Sequence, residues 1–450
     1  MGDAPPPLPD SDSALSSLDR ALEAVVAGDD EGALRFAVPV ARAGRGGATE
    51  LFVLGRALVA LGEPALAYSA YDVALARAID SGNLALSVAC CADLADQGQD
   101  AAQRFDEVAA AFSRGSKRIS PGAPPAMPGA AAETRPLAAG LARDALVAEA
   151  RGVIDEATLA LETDRAGTGV TQFRAQPLFS ALGQDALRAI VEAFEPMVVK
   201  TNTRIIEQGT VGAEAYVLGR GELEVVRNDR QTGAPVLLAR LGAGALIGEM
   251  SLLSRSPRAA HVIAKRPSVL LVAHKESLDS IAERSPELAA EFAEHCHRRM
   301  LENLMRHSPI LGAVDASERP AVMERFLPRA FEQGQRLITQ GESSEGMHLI
   351  ASGEVAVIHR EADGDTEIAR LGIGDSVGEV ALVLRRAANA DVVAVTPTIT
   401  LHLPQASFMD LVRKHPTLLA ELYEVAVKRD EETSTIAAEQ ATDVDDLVLV

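Results

Sequence analysis

Tryptophan is absent from this chain, and aromatic residues make up only 3% of it, so its cores must be assembled from Ala, Val, Leu and Ile. Three cysteines, Cys90, Cys91 and Cys296, are too few for a disulfide framework. Cys90 and Cys91 are adjacent in an apolar helical run, which fits reduced, buried thiols. No window reaches 18 consecutive apolar residues, so no transmembrane helix is expected. The opening MGDAPPPLPDSD has neither a basic nor an apolar segment of the kind a secretory signal needs, and lacks the Ser or Thr of a myristoylation site. Basic residues are scarce: 43 Lys and Arg face 64 Asp and Glu, a net charge of -21, which repels nucleic acid and anionic membranes. P-loop, kinase and G-x-S-x-G signatures are missing as well. These absences lead to the expectation of a cytoplasmic, non-enzymatic protein without cofactor, metal, nucleic-acid or membrane partner.

What is present is ample apolar content, 47% of 450 residues, enough for two to four domains. After residues 1–11, expected to be disordered, residues 12–112 read as helices throughout, with apolar residues at helical spacing. Gly28, Gly62 and Gly98 lie 34 and 36 residues apart, and Ala33 and Ala67 also 34 apart, a period shown by helix-turn-helix solenoids. Leu54-Gly55, Gly62, Ala67, Tyr71 and Ala74 occupy the packing positions of a tetratricopeptide repeat, which the middle unit resembles; a plain helical bundle with chance glycine spacing stays open. Residues 113–135 combine Pro, Gly and Ser and read as a flexible linker. Within it Lys117-Arg118-Ile119-Ser120 resembles a basophilic-kinase site. A helix leading onward is expected in 136–170.

From about 171 the texture changes to short alternating runs punctuated by glycine, the pattern of strands and turns. RIIEQGTVGAEAYVLGRGELEVV at 204–226 returns as RLITQGESSEGMHLIASGEVAVI at 336–358, an offset of 132. Farther on, LARLGAGALIGEMSLL returns as IARLGIGDSVGEVALV at an offset of 130, the difference being absorbed by one loop. One domain is therefore present twice, in residues 171–303 and 304–428, followed by an acidic tail at 429–450.

The segment IGEMSLLSRSPRAAH, from Ile247 to His261, carries the chemistry. Gly248 permits an unusual φ, MSLLS forms a helical turn with free N–H groups, and Pro257 stops it. The chain then returns with Arg258, nine residues after Glu249, as a bidentate fork for a phosphate, while Glu249 suits a sugar hydroxyl. A surface salt bridge between Glu249 and Arg258 on an empty roll is the bland alternative.

Gly221-Glu222 and Gly353-Glu354, the Leu-Gly-x-Gly strand ends, Gly248-Glu249 and Pro257-Arg258-Ala259-Ala260 together resemble the cyclic-nucleotide-binding domain, as in regulatory subunits of cAMP-dependent protein kinase and the catabolite activator protein. This resemblance implies two α+β domains, each a jelly-roll-like β-roll with flanking helices, and with the tetratricopeptide likeness of residues 12–112 the expected fold is a multidomain chain with an all-α helical-repeat module ahead of them. It implies that Glu249 binds ribose and Arg258 phosphate, with Gly248, Met250, Ser251 and Ala259 contributing backbone groups and Ala260 and His261 counted among the site residues. Ala259 stands where cGMP-selective members carry threonine, which points to cAMP. His261 replaces the usual Thr or Ser, and either adds a switchable charge or points outward; the outward reading is preferred.

In the second copy Gly378 and Glu379 are retained, but Ala388 stands in the arginine's place and Asn389 follows it. Asp391 adds a negative charge where phosphate would lie, and Arg385 and Arg386 could substitute only in a reshaped segment. This copy is expected not to bind a cyclic nucleotide. His295-Cys296-His297 diverge on a helix and make no metal site. The expected function is a signalling adaptor that senses a cyclic nucleotide, cAMP, through the first roll and binds a protein partner through the helical module; the terminal Leu447-Val448-Leu449-Val450 reads first as a frayed end, with a docking motif as the alternative. The alternatives are a ligand-independent scaffold, a kinase-inhibiting regulatory subunit or an atypical transcription regulator.

Overall fold

The structure, a computed structural model, describes residues 15–122, 133–167, 171–228, 233–254, 257–307, 314–315, 317–361, 364–415, 419–420, 422–424 and 426–429. The expected disordered start and the terminal Leu447–Val450 motif lie outside the described residues. These residues divide into two compact units. The first falls within Met1–Gln208, Gly212–Glu249 and Ala260–His295, and the second within Gly209–Val211, Met250–Ala259 and Cys296–Val450.

The first unit begins with helices α1 (Ser17–Ala27), α2 (Asp30–Ala43), α3 (Ala48–Ala60), α4 (Pro64–Asp80), α5 (Leu84–Asp96), α6 (Ala102–Phe112) and α7 (Arg143–Gly167). Ser16 and Asp19 form a reciprocal capping box that starts α1. The periodic glycines have a conformational cause: Gly28, Gly62 and Gly98 adopt φ of 73°, 74° and 72° within two residues of the ends of α1, α3 and α5, the left-handed geometry that favours glycine after a helix. From α1 to α6 each helix packs on the one before it, and α7 lies against α2, α3 and α4. Gly55 allows a close approach of α3 and α4, because a Cβ there would meet the Tyr71 ring at 2.7 Å. Tyr71, Phe52 and Phe112 are the largest fully buried side chains, and leucines supply most of the remainder.

The first unit also contains roll A. Its strands are β1 (Glu195–Val199), β2 (Arg204–Ile206), β3 (Glu214–Arg220), β4 (Leu223–Asn228), β5 (Pro235–Leu241), β6 (Leu246–Ile247), β7 (His261–Ala264) and β8 (Ser268–His274), preceded by α8 (Gln184–Val191). They form two antiparallel sheets, ordered β1-β8-β3-β6 and β2-β7-β4-β5. Leu218 and Leu270 from one sheet meet Val262 and Leu223 from the other in the core. The opposite face of β3 and β8 is covered by α5: Asn83 donates to the Gly219 carbonyl at 2.7 Å, and a Cβ on Gly219 would come within 3.3 Å of Ala85. Asp19, fully buried, bonds Arg220 at 2.6 Å and Arg266 at 2.7 Å. The helical region is thus docked on roll A through its own core contacts. Residues 113–122, expected to be flexible, are fixed as well. Arg114 N–H donates to Leu182 O, Ser120 N–H donates to Phe173 O, and Arg118 pairs with Asp80 at 2.9 Å. Short polar sequence reads as linker, but here its backbone is satisfied by neighbours rather than by water.

The second unit contains roll B: β9 (Leu327–Phe331), β10 (Arg336–Ile338), β11 (Gly346–Ser352), β12 (Glu354–Glu361), β13 (Gly364–Gly372), β14 (Ser376–Val377), β15 (Asp391–Ala394) and β16 (Thr398–Pro404). The sheet orders β14-β11-β16-β9 and β10-β15-β12-β13 repeat those of roll A. Registers repeat too: Val217 faces Leu271 and Leu349 faces Leu401, displaced by the two offsets read from the sequence. The outward Met347, Leu349, Leu401 and Leu403 join Phe408 and Leu411 of the following helix. The inward Ile350, Val355, Val377 and Val392 form a smaller core between the sheets. Alternation along the strands places His348, Thr400 and His402 on that inward face.

Candidate functional site

Both rolls build the segment after their sixth strand alike. Gly248 has φ +81° and Gly378 φ +87°, which β-carbons would strain. A six-residue helix follows in each, α9 (Glu249–Ser254) and Glu379–Leu384. Returning from that helix, the chain forms a ladder rung. In the first copy Gly209 N–H donates to Arg258 O and Arg258 N–H to Thr210 O, both at 2.8 Å. In the second, Gly341 N–H donates to Ala388 O at 2.8 Å and Ala388 N–H to Glu342 O at 2.9 Å. Arg258 and Ala388 therefore hold the same backbone position.

The side chains then diverge. Arg258 is 6% exposed, and its Nη1 donates to Ser251 Oγ at 2.6 Å, which joins two of the expected phosphate-site residues. Glu249 is 2% exposed. Met250 packs against the apolar core of the second unit. Ala259 is exposed and Ala260 half-buried just before β7. His261 does not point outward. Its Nδ1 accepts the Gln208 N–H at 3.1 Å, its Nε2 lies 3.4 Å from Asn228 Nδ2, and Gln208 Oε1 in turn accepts the Asn228 N–H at 2.8 Å. Burial first, and then the Arg204 charge, lower its pKa, so it serves as a neutral acceptor that pins the loop leading to Gly209 rather than as a phosphate cation.

In roll B Glu379 is fully buried. Arg429 donates to Glu379 Oε1 and, at 2.6 Å, to the Ser376 carbonyl. Residue 429, expected to open an acidic tail, instead brings a guanidinium to the retained acid, since a buried carboxylate is strongly disfavoured without a cation or donors. Asp391 is not a free charge either. Its Oδ1 accepts the Gln340 N–H at 2.8 Å, and its Oδ2 meets Arg360 and, at 3.4 Å, Arg336. Asn389 O receives a bond from His359 Nδ1 at 2.8 Å. Arg385 ends the short helix in a left-handed conformation, φ 52°, and is not part of the cavity wall that Glu379, Ala388 and Arg429 share. Among the described residues no group of three or more His, Cys, Asp or Glu could hold a metal ion.

Sequence reasoning missed Arg429 and the glutamine contacts. For Gln208 and Gln340 a signal existed, because both belong to Gln-Gly pairs repeated at the offset of 132.

Residues 196–285 and 328–415 match the sequence profile of the cyclic nucleotide-binding domain. The chain is 30% identical over 224 residues to the cAMP-dependent protein kinase type II regulatory subunit of Drosophila melanogaster, covering 50% of this chain and 56% of that one. It is 29% identical over 235 residues to the cAMP-dependent protein kinase regulatory subunit of Yarrowia lipolytica, covering 52% and 58%. The chain therefore spans little more than half the length of these relatives. A co-crystal structure of the regulatory domain of Toxoplasma gondii PKA with cAMP matches at 23% identity, covering 56% of this chain and 92% of that one, with a TM-score of 0.28. The two rolls are tandem cyclic nucleotide-binding domains resembling those of kinase regulatory subunits. Among the described residues, no helix is long and apolar enough to cross a membrane.

Proposed function

We propose that the chain is a non-enzymatic, cytoplasmic signalling adaptor in which roll A senses a cyclic nucleotide, cAMP. The observation that carries this reading is Arg258, a guanidinium held at 6% exposure on a ladder rung in a domain that matches the cyclic nucleotide-binding profile. A nucleotide phosphate would exchange the Arg258–Ser251 bond for bidentate, charge-assisted ones. Gly248, Glu249, Met250, Ser251, Ala259 and Ala260 would complete the site, Glu249 taking a ribose hydroxyl. The helical region, proposed as tetratricopeptide-like, would present the protein partner, with the tail as a second docking element.

Titration calorimetry of the full chain with cAMP tests the site. Arg258→Ala should weaken binding about 10- to 100-fold, the loss of charge-assisted bonds worth about 1.5–3 kcal/mol. Unchanged affinity in that variant would sink the reading.

A further inference from the structure

Roll A leaves open a groove that roll B bridges. The groove runs between α8 and α10 (Lys275–Arg284) and holds about 830 Å³. Its lining includes Ala186, Ala189 and Ala193 from α8 and the turn after it, and Ser280, Ile281 and Ser285 from α10 and the residue after it. At the repeat offsets of 132 and 130, Ala193 and Ser280 correspond to Arg325 and Asp410, which pair at 2.7 Å in roll B. Ala186 and Ser285 correspond in the same way to Glu318 and His415, whose Oε2 and Nδ1 lie 3.6 Å apart. At both places roll A has an alanine and a serine, uncharged and too short to form the bridge.

The surface left exposed sets the occupant. Ala186, Ala189 and Ala193 are spaced three and four apart, which puts small side chains on one side of α8 and lets another helix come close. The groove is shallow and open to solvent, a shape for a helix laid between two others rather than for an enclosed small molecule. Three acids line it, Asp185, Glu192 and Glu276, against one cation, Arg284. Glu192 is paired with Arg188 at 2.9 Å. Asp185 and Glu276 are exposed and have no ion pair among the described residues, so the occupant carries positive charge. Residues 1–14 and 430–450 do not supply it, because they contain no Lys or Arg. A net charge of -21 also sets two copies of the chain against each other.

We infer that this groove docks a partner protein through a basic amphipathic helix, its small or apolar face on the alanines and its lysines or arginines against Asp185 and Glu276. The assignment does not depend on nucleotide binding by either roll. The test uses the full chain and fluorescence anisotropy of an alanine- and leucine-based helical peptide of about 18 residues with lysines along one face. The same peptide with glutamates in their place is the control. The lysine peptide should bind at least about tenfold more tightly than the glutamate one. Ala193→Arg/Ser280→Asp installs roll B's bridge and leaves the net charge unchanged, and it should weaken lysine-peptide binding by about tenfold or more. Attraction to the acidic chain as a whole would survive that change. Asp185→Lys/Glu276→Lys alters only exposed side chains, so it tests the groove without repacking it, and it should reverse the preference between the two peptides. Equal binding of the lysine peptide to the bridged and unsubstituted chains, an unreversed preference in the charge variant, or no binding at about 1 mM would overturn the inference. So would a dimer of the chain that the bridge dissolves, since a second copy would then be the occupant.

Discussion

In roll A the chain returning from the short helix places Arg258 beside Gly209 and Thr210; in roll B the same rung, beside Gly341 and Glu342, carries Ala388. The backbone that shapes the turn has been kept and the charge that would use it has not. In roll B the retained acid Glu379 is held by Arg429, a side chain 50 residues away in sequence and outside the repeat. Fold and ligand chemistry are separable in principle: glycine conformation and strand register preserve the turn in both rolls, and on the proposed reading the side chain at one rung decides whether it receives a phosphate.

The largest effect expected from breaking this contrast lies in roll B. Arg429→Ala leaves Glu379 buried without its cation and should destabilise the second unit by about 3 kcal/mol, read by urea unfolding. Glu379→Ala/Arg429→Ala should recover part of that loss, because no charge is then stranded. No loss in the single variant would show that the pair contributes nothing.

The interiors of the two rolls offer a second contrast. Where roll A pairs Tyr216 with Val272, roll B pairs His348 with His402, their rings 4.5 Å apart. Burial first, then His402 and Arg329, push His348 down to about 3; burial and Arg329 also lower His402, against the opposing pull of Glu345. A depressed histidine pKa means that the unfolded chain binds the proton first. The stability present above pH 6.5 should therefore fall as pH drops towards 3, by up to about 1.4 kcal/mol per pH unit for one group. Hydrogen exchange at pH 7 and pH 5 should show β11 and β16 losing protection before β3 and β8. Installing roll A's residues, His348→Tyr with His402→Val, should flatten that dependence, and an unchanged pH profile would contradict the assignment.

The smallest effect sharpens roll A alone. Ala259→Thr adds a hydroxyl next to Arg258 and should improve cGMP binding relative to cAMP by about fivefold, one neutral hydrogen bond of about 1 kcal/mol. Competition between the two nucleotides measures it, and an unchanged ratio would remove Ala259 from the specificity argument.

The duplication, the positive φ at Gly248 and Gly378 and the equivalence of Arg258 and Ala388 were legible because each repeats at a fixed offset and has a backbone cause. The helix break at Gly62 was legible from the Gly62-Glu63-Pro64 run, whereas Gly28 and Gly98 showed only a spacing near 34. Contacts between distant segments were not legible. Asp19 finds Arg220 and Arg266, about 200 and 250 residues onward, and no periodicity links them. His261 was misread because its partner is a backbone N–H, a group every residue carries and no sequence pattern marks. Arg429 lay hidden in a charged run that reads as solvated.

The difference between the two rungs is tested most directly by counting cAMP sites on the full chain by equilibrium dialysis. One site is expected in the unsubstituted protein, none in Arg258→Ala and one in Ala388→Gly. Two sites in the unsubstituted protein, or one surviving in Arg258→Ala, would contradict the assignment of phosphate recognition to Arg258 alone.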